Sequence, residues 1–170
     1  MRSISSVSNV KVDNIYFIGT DFGYRIKTDQ TATNSGATTG VTYSNTCMRD
    51  VGAAFLFTYL YSTGTGGSPP IIANVKIDNV SGTSKSQGGI VGLPNNLMGV
   101  VHSGDTGIRM TNTKLSGGKG FNVTNGTLQL GVNSAVTPLT TGINGNVVQQ
   151  LPDSGATVVC PSSIVIPPQI

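Results

Sequence analysis

Glutamate is missing altogether, histidine occurs once, cysteine twice, and only 10% of the 170 residues are charged. With so few long charged side chains, the polar surface has to come from Ser, Thr, Asn and the 23 Gly, a composition that favours strands and turns over helices. No apolar run approaches the roughly 18 residues of a membrane-spanning helix, so no membrane partner is expected. The ten basic residues are scattered, without an Arg/Lys cluster or interleaved aromatics, and the net charge is only +3. Nucleic acid is therefore not an expected partner, whereas an anionic polysaccharide fits the sign. Cys47 and Cys160 have neither C-x-x-C nor Cys/His ligand spacing, so no metal site is expected. They allow one disulfide in an oxidising compartment or remain two free or structural cysteines. The Gly-rich stretches carry no phosphate-cradling motif, and no cofactor is expected. The single histidine, His102, reads as a turn residue with no triad partner motif. Met1 to Ser6 lacks the apolar core of a signal peptide. Either the protein is not exported or its true N-terminus is missing, and we expect the second, with a secreted full-length parent.

What is present is a repeat. Four segments match: Asn9 to Ile15, Gly40 to Thr46, Asn74 to Val80 and Gly107 to Thr113. Their closing asparagines, Asn14, Asn45, Asn79 and Asn112, are spaced 31, 34 and 33 residues apart. Within each segment apolar residues alternate, Val10/Val12, Val41/Tyr43, Val75/Ile77 and Ile108/Met110, and period two means strand. A second strand recurs at a fixed offset, Tyr24 to Lys27 after Asn14 and Phe55 to Thr58 after Asn45, with looser equivalents at 89–91 and 120–123. Register then stacks Arg25 and Lys27 on Leu56 and Thr58.

The class this specifies is all-β: a right-handed parallel β-helix, a solenoid of about four coils, read as an N-terminally truncated piece. An antiparallel β-sandwich is the competitor, but it does not require the fourfold recurrence. Coils are expected over 1–135, and 136–170, rich in proline, as a C-terminal cap or tail of the same domain. The stacked asparagines are expected to form an amide ladder inside a turn, with Asp13 and Asp78 as turn residues beside it. An uncovered first coil would present an unpaired sheet edge and a cross-section of apolar core.

In Gly23-Tyr24-Arg25-Ile26-Lys27-Thr28, alternation puts Arg25 and Lys27 on one face of a strand and Tyr24 and Ile26 on the other. Residues two apart lie about 6.6 to 7 Å from each other, so the pair can grip one carboxylate, Arg25 as a bidentate fork and Lys27 as a point charge. A sugar acid is the natural guest.

This strand, followed by Met48-x-Asp50-Val51, an apolar strand and Tyr61, resembles the polygalacturonases of glycoside hydrolase family 28, over roughly residues 7 to 130. The resemblance implies a pectinase that hydrolyses α-1,4 galacturonosyl bonds of polygalacturonate with inversion. It also implies that Arg25 and Lys27 bind the galacturonate carboxylate just past the scissile bond and that Tyr61 contacts the same sugar region. The family's N-T-D, D-D and G-H-G motifs do not occur here, and the seven aspartates include no adjacent pair. The chain is thus expected to hold substrate without cutting it, as the C-terminal part of an enzyme whose other half carries the acids. A non-catalytic β-helix module, carbohydrate-binding or adhesin-like, is the alternative.

Overall fold

The computed structural model describes residues 6–28, 36–60, 71–94, 96–99, 106–151 and 160. Ten strands form one sheet: β1 Val7–Ile18, β2 Phe22–Lys27, β3 Ala37–Val51, β4 Ala53–Thr58, β5 Ile71–Ser84, β6 Gly88–Val91, β7 Ile108–Thr124, β8 Gly126–Gly131, β9 Ala135–Thr141 and β10 Gly145–Leu151. Every ladder between them is parallel. Sequential neighbours never pair as hairpins. Instead β1, β3, β5 and β7 stack in order, and β2, β4, β6 and the end of β7 stack beside them. That is a parallel β-helix, and a sandwich is excluded.

The register explains the repeat. Val10, Val41, Val75 and Ile108 are successive partners, as are Val12, Tyr43, Ile77 and Met110. Both ends of each repeated segment are left-handed corners: φ is +56° at Asn9, +67° at Gly40, +54° at Asn74 and +64° at Gly107, then +58°, +49°, +56° and +49° at Asn14, Asn45, Asn79 and Asn112. Asn and Gly are the residues that enter this region at least cost, so two such residues five apart bracket one straight four-residue run. The chain then turns onto a second face, where Ile15, Thr46, Val80 and Thr113 align.

The amide ladder is present in mixed form. Asn79 Nδ2 donates to Asn45 Oδ1 at 2.6 Å, and Asn45 Nδ2 donates onward to Asp13 Oδ1 at 2.7 Å. Asn112 Nδ2 donates to Asp78 Oδ1 at 2.8 Å. Each chain of donors thus ends on a carboxylate rather than another amide. Asp13 also accepts from Ser44, and Asp78 from Thr111, while Lys11 and Lys76 pair with them at 3.3 and 3.1 Å. These hydrogen bonds, led by those from Ser44 and Asn45, hold the Asp13 carboxyl below the usual carboxylate range. At Asp78 burial opposes ionisation, but the bonds from Thr111, Asn112 and Lys76 outweigh it and lower the pKa too.

Inside, aromatic rings fill the first coils: Tyr24 stacks on Tyr43 at 4.0 Å and meets Phe17 edge-on at 5.1 Å. Burial pushes the Tyr43 phenol up to about 12. Aliphatic side chains and Met110 predominate further along, with Ile77, Ile90, Leu128 and Leu130 buried together with the ring of Phe121. Two inward threonines, Thr46 and Thr113, satisfy their buried hydroxyls by donating to the carbonyls of Ser44 and Thr111 across the corner.

Parallel pairing continues past Leu130 at closer spacing. Met110 pairs with Leu130, Leu115 with Val136, and Leu128 with Val147, steps of about 20 residues. The repeat shortens rather than stops. Cys47 and Cys160 form one disulfide, joining β3 to a residue 113 positions away in sequence.

Candidate functional site

The Arg25/Lys27 strand is β2, and its side chains alternate as expected: Tyr24 and Ile26 buried, Arg25 and Lys27 exposed. The inward anchors fix the strand. The Tyr24 hydroxyl shares a 2.6 Å hydrogen bond with Thr46 Oγ1, and its ring is clamped between Phe17, Tyr43 and Phe55. Burial raises the Tyr24 pKa, so the phenol stays neutral and the bond intact at ordinary pH. Gly23 is required by packing: a Cβ there would stand 2.5 Å from the carbonyl oxygen of Ala54 and 2.7 Å from Met48 Cε.

On the outside, the Arg25 guanidinium carbon lies 4.4 Å from the centroid of the Phe22 ring. That cation–π contact limits the rotamers of a long side chain and aims the fork before any ligand arrives. Phe22 was not foreseen as a partner, because residues three apart on a regular strand point to opposite faces. It reaches Arg25 because it begins the strand, immediately after the bend at Asp21.

Register along this wall is as the ten-residue offset predicts. Arg25 aligns with Leu56, then Gly89, then Asn122; Lys27 aligns with Thr58, then Val91, then Thr124. The cations stand on the first rung only.

Beside them the coil is open. Among the described residues β1 pairs only with β3 and β2 only with β4. A depression of about 290 Å³ lies at this end, lined by Arg25 and Lys27 and by the inward residues Val10, Ile26, Val41 and Tyr43, with Val7 and Thr38. Among the described residues the first coil thus presents an unpaired edge and an apolar cross-section, and the cations are at their rim.

Tyr61 and His102 lie outside the described residues, as do Asp29, Asp105 and Asp153. Tyr59, two positions before Tyr61, is a core residue: it is 2% exposed, and its hydroxyl accepts a hydrogen bond from the Ile72 amide at 3.2 Å. Alternation from Phe55 through Phe57 marks it as inward. Asp13 and Asp78 occupy a different face of the solenoid, held in the ladder. Asp21 and Asp50 are exposed at corners, Asp50 with φ +53° and its amide donating to Thr83 Oγ1.

Fold and wall together define a parallel β-solenoid with two cations, Arg25 and Lys27, exposed on the outer face of its first coil. Residues 1–135 match the model of glycosyl hydrolases family 28, and the chain belongs to that family. An endo-polygalacturonase of Pectobacterium carotovorum subsp. carotovorum is 33% identical over 85 residues, which are 50% of this chain and 20% of that protein. One from Pectobacterium parmentieri is 34% identical over 85 residues, with the same shares. The match thus spans about a fifth of the length of these relatives. No solved structure matches the chain.

Proposed function

We propose that this chain is the substrate-gripping part of a polygalacturonase-type hydrolase that acts on pectic polygalacturonate outside the cell. Arg25 and Lys27 bind one galacturonate carboxylate next to the bond that is cut, and Tyr61 contacts the same region. Inverting hydrolysis needs two carboxyl groups about 6.5 to 9.5 Å apart, one to protonate the leaving oxygen and one to activate water. Asp13 and Asp78 are committed to the ladder on another face. The acids come instead from coils stacked on the open edges of β1 and β2, one strand spacing of about 4.8 Å from Arg25. In that arrangement the cations supply electrostatic anchoring, fixing the sugar ring so that its glycosidic oxygen faces the acids. By itself the chain binds and does not hydrolyse.

One observation carries this reading: the two cations are side by side on the rim of the open coil end, with Arg25 already aimed by Phe22. The test is titration of the 170-residue chain with hexagalacturonate, followed by calorimetry or NMR. Binding should weaken about ten-fold in Arg25→Ala, as expected for loss of charge-assisted hydrogen bonds, and should weaken further with added salt. An affinity unchanged by Arg25→Ala sinks the assignment. Release of reducing ends by the chain itself would move the acids into it.

A further inference from the structure

The wall that continues from the cations is neutral, and at Gly89 packing keeps it so. On the rung after Arg25 and Lys27 stand Leu56, half-buried, and Thr58, which is buried and whose hydroxyl oxygen accepts from the Leu60 amide at 2.9 Å. On the third rung stands Gly89, where a Cβ would lie 2.2 Å from the carbonyl oxygen of Asn122, so no side chain fits. On the fourth, Asn122 donates to Thr124 Oγ1 at 2.9 Å and accepts from Thr140 Oγ1 at 3.2 Å, leaving the amide engaged on both sides. Lys85 follows β5 and Lys119 lies in the β7 segment ahead of Phe121, so neither belongs to the outward rows. Among the described residues, then, no other cation stands in those rows.

If the acids act from the open end, as proposed above, the polysaccharide crosses from that end over Arg25 and Lys27 and on to the next rung, a step comparable to one pyranose unit. We infer that Leu56 determines how the wall responds to esterification: the sugar after the gripped one meets a neutral, apolar contact, so its methyl ester is accepted as readily as its free acid. A carboxylate is read once, at Arg25 and Lys27. The ligand class is therefore partially methyl-esterified galacturonan, and Leu56 is the specificity-determining position because Gly89 cannot be substituted.

The experiment compares three hexagalacturonates on the full chain: fully acidic, esterified at alternate units, and fully esterified. The alternate ester should bind within about two-fold of the acid, the loss reflecting the halved number of registers, while the full ester should bind about ten-fold more weakly or worse. Leu56→Lys should make the chain prefer the acid over the alternate ester by about two- to five-fold, the range for an exposed ion pair, and Leu56→Gln should leave the ratio as in wild type. An alternate ester that binds as poorly as the full ester overturns the inference while leaving the Arg25 grip standing. Acidic hexamer binding that is absent, or indifferent to Arg25→Ala, removes the grip and this inference with it.

Discussion

Gly23→Ala tests the link between packing and the grip. Nothing about φ forbids alanine at position 23, and the substitution by itself would stabilise by about 0.4 to 1 kcal/mol, by narrowing the unfolded ensemble. Against this, the new Cβ would stand 2.5 Å from the Ala54 carbonyl oxygen, about 0.9 Å short of the 3.4 Å at which ordinary contact begins. Met48 can give way, because its Cε and Sδ end a flexible side chain, but the Ala54 oxygen belongs to the neighbouring strand. Relief requires β2 to part from β4, and such overpacking costs about 1 to 3 kcal/mol. The clash wins, with a net loss of about 1 to 2 kcal/mol, or about 0.5 to 1 M in urea midpoint at an unchanged slope near 2 kcal/mol/M. Because Arg25 and Lys27 ride on the displaced strand, hexagalacturonate affinity should fall as well. Gly19→Ala is the control: φ is +64° with nothing within 4 Å, so strain of about 1 to 2 kcal/mol should appear without loss of affinity. A Gly23→Ala protein as stable as wild type refutes the packing reasoning. One that is less stable but binds equally well refutes the connection to the site.

Acid should weaken the fold through Asp13 and Asp78, whose folded-state pKa values lie below the ordinary 3.8. Their contribution is fully present above the unfolded value and is lost as pH falls from there through the folded values, so thermal midpoints should drop below about pH 4 and less steeply in Asp13→Asn and Asp78→Asn. Breaking the Cys47–Cys160 disulfide, which joins residues 113 positions apart, should cost about 2 to 4 kcal/mol, seen as equal urea-midpoint shifts in Cys47→Ser and in reduced wild type. At Asn79, φ +56°, alanine should cost about 1 to 2 kcal/mol for the left-handed corner plus about 1 for the lost bond to Asn45, whereas glycine should lose only the bond. Equal urea midpoints for the two variants would show that the corner conformation is not what selects asparagine.

Much of this molecule was legible because the β-helix writes one coil's instructions at fixed intervals. Asn or Gly at both corners, with Val, Ile, Met or Tyr at the first and third of the four positions between, gives strand, turn and facing in seven residues. The offset that aligned Arg25 with Leu56 and Lys27 with Thr58 holds to the residue. Three things were not legible, for separate reasons. The ladder's mixed chemistry depends on which side chains meet across rungs, and Asp13 accepts from Ser44 and Asn45 of the next coil. The cysteine pairing follows no period, since Cys160 belongs to no coil repeat. The coils beyond Leu130 escaped because a sequence period counts a coil together with its inserts. The backbone conserves only the coil, so the step falls to 19 between Asn125 and Asn144, which still turn left-handed and still bond amide to amide.

Cations at the end of a sheet have an ordinary explanation, which is that charge on an edge discourages pairing with another chain. Lys11, on the same first rung, fits it: its ammonium is turned back to Asp13 and is tied into the ladder. Shielding asks only that charge be present and solvated. Gripping asks that the charge be aimed, and the two demands separate Lys11 from Arg25. Aim requires an inward anchor that cannot slip, which the buried Tyr24–Thr46 bond and the Tyr43 stack supply, and an outward contact that restricts rotamers without consuming donors. A carboxylate partner would have consumed them. The Phe22 ring restricts the guanidinium through its face and leaves the N–H groups in the plane available, which is the arrangement a bidentate sugar carboxylate needs.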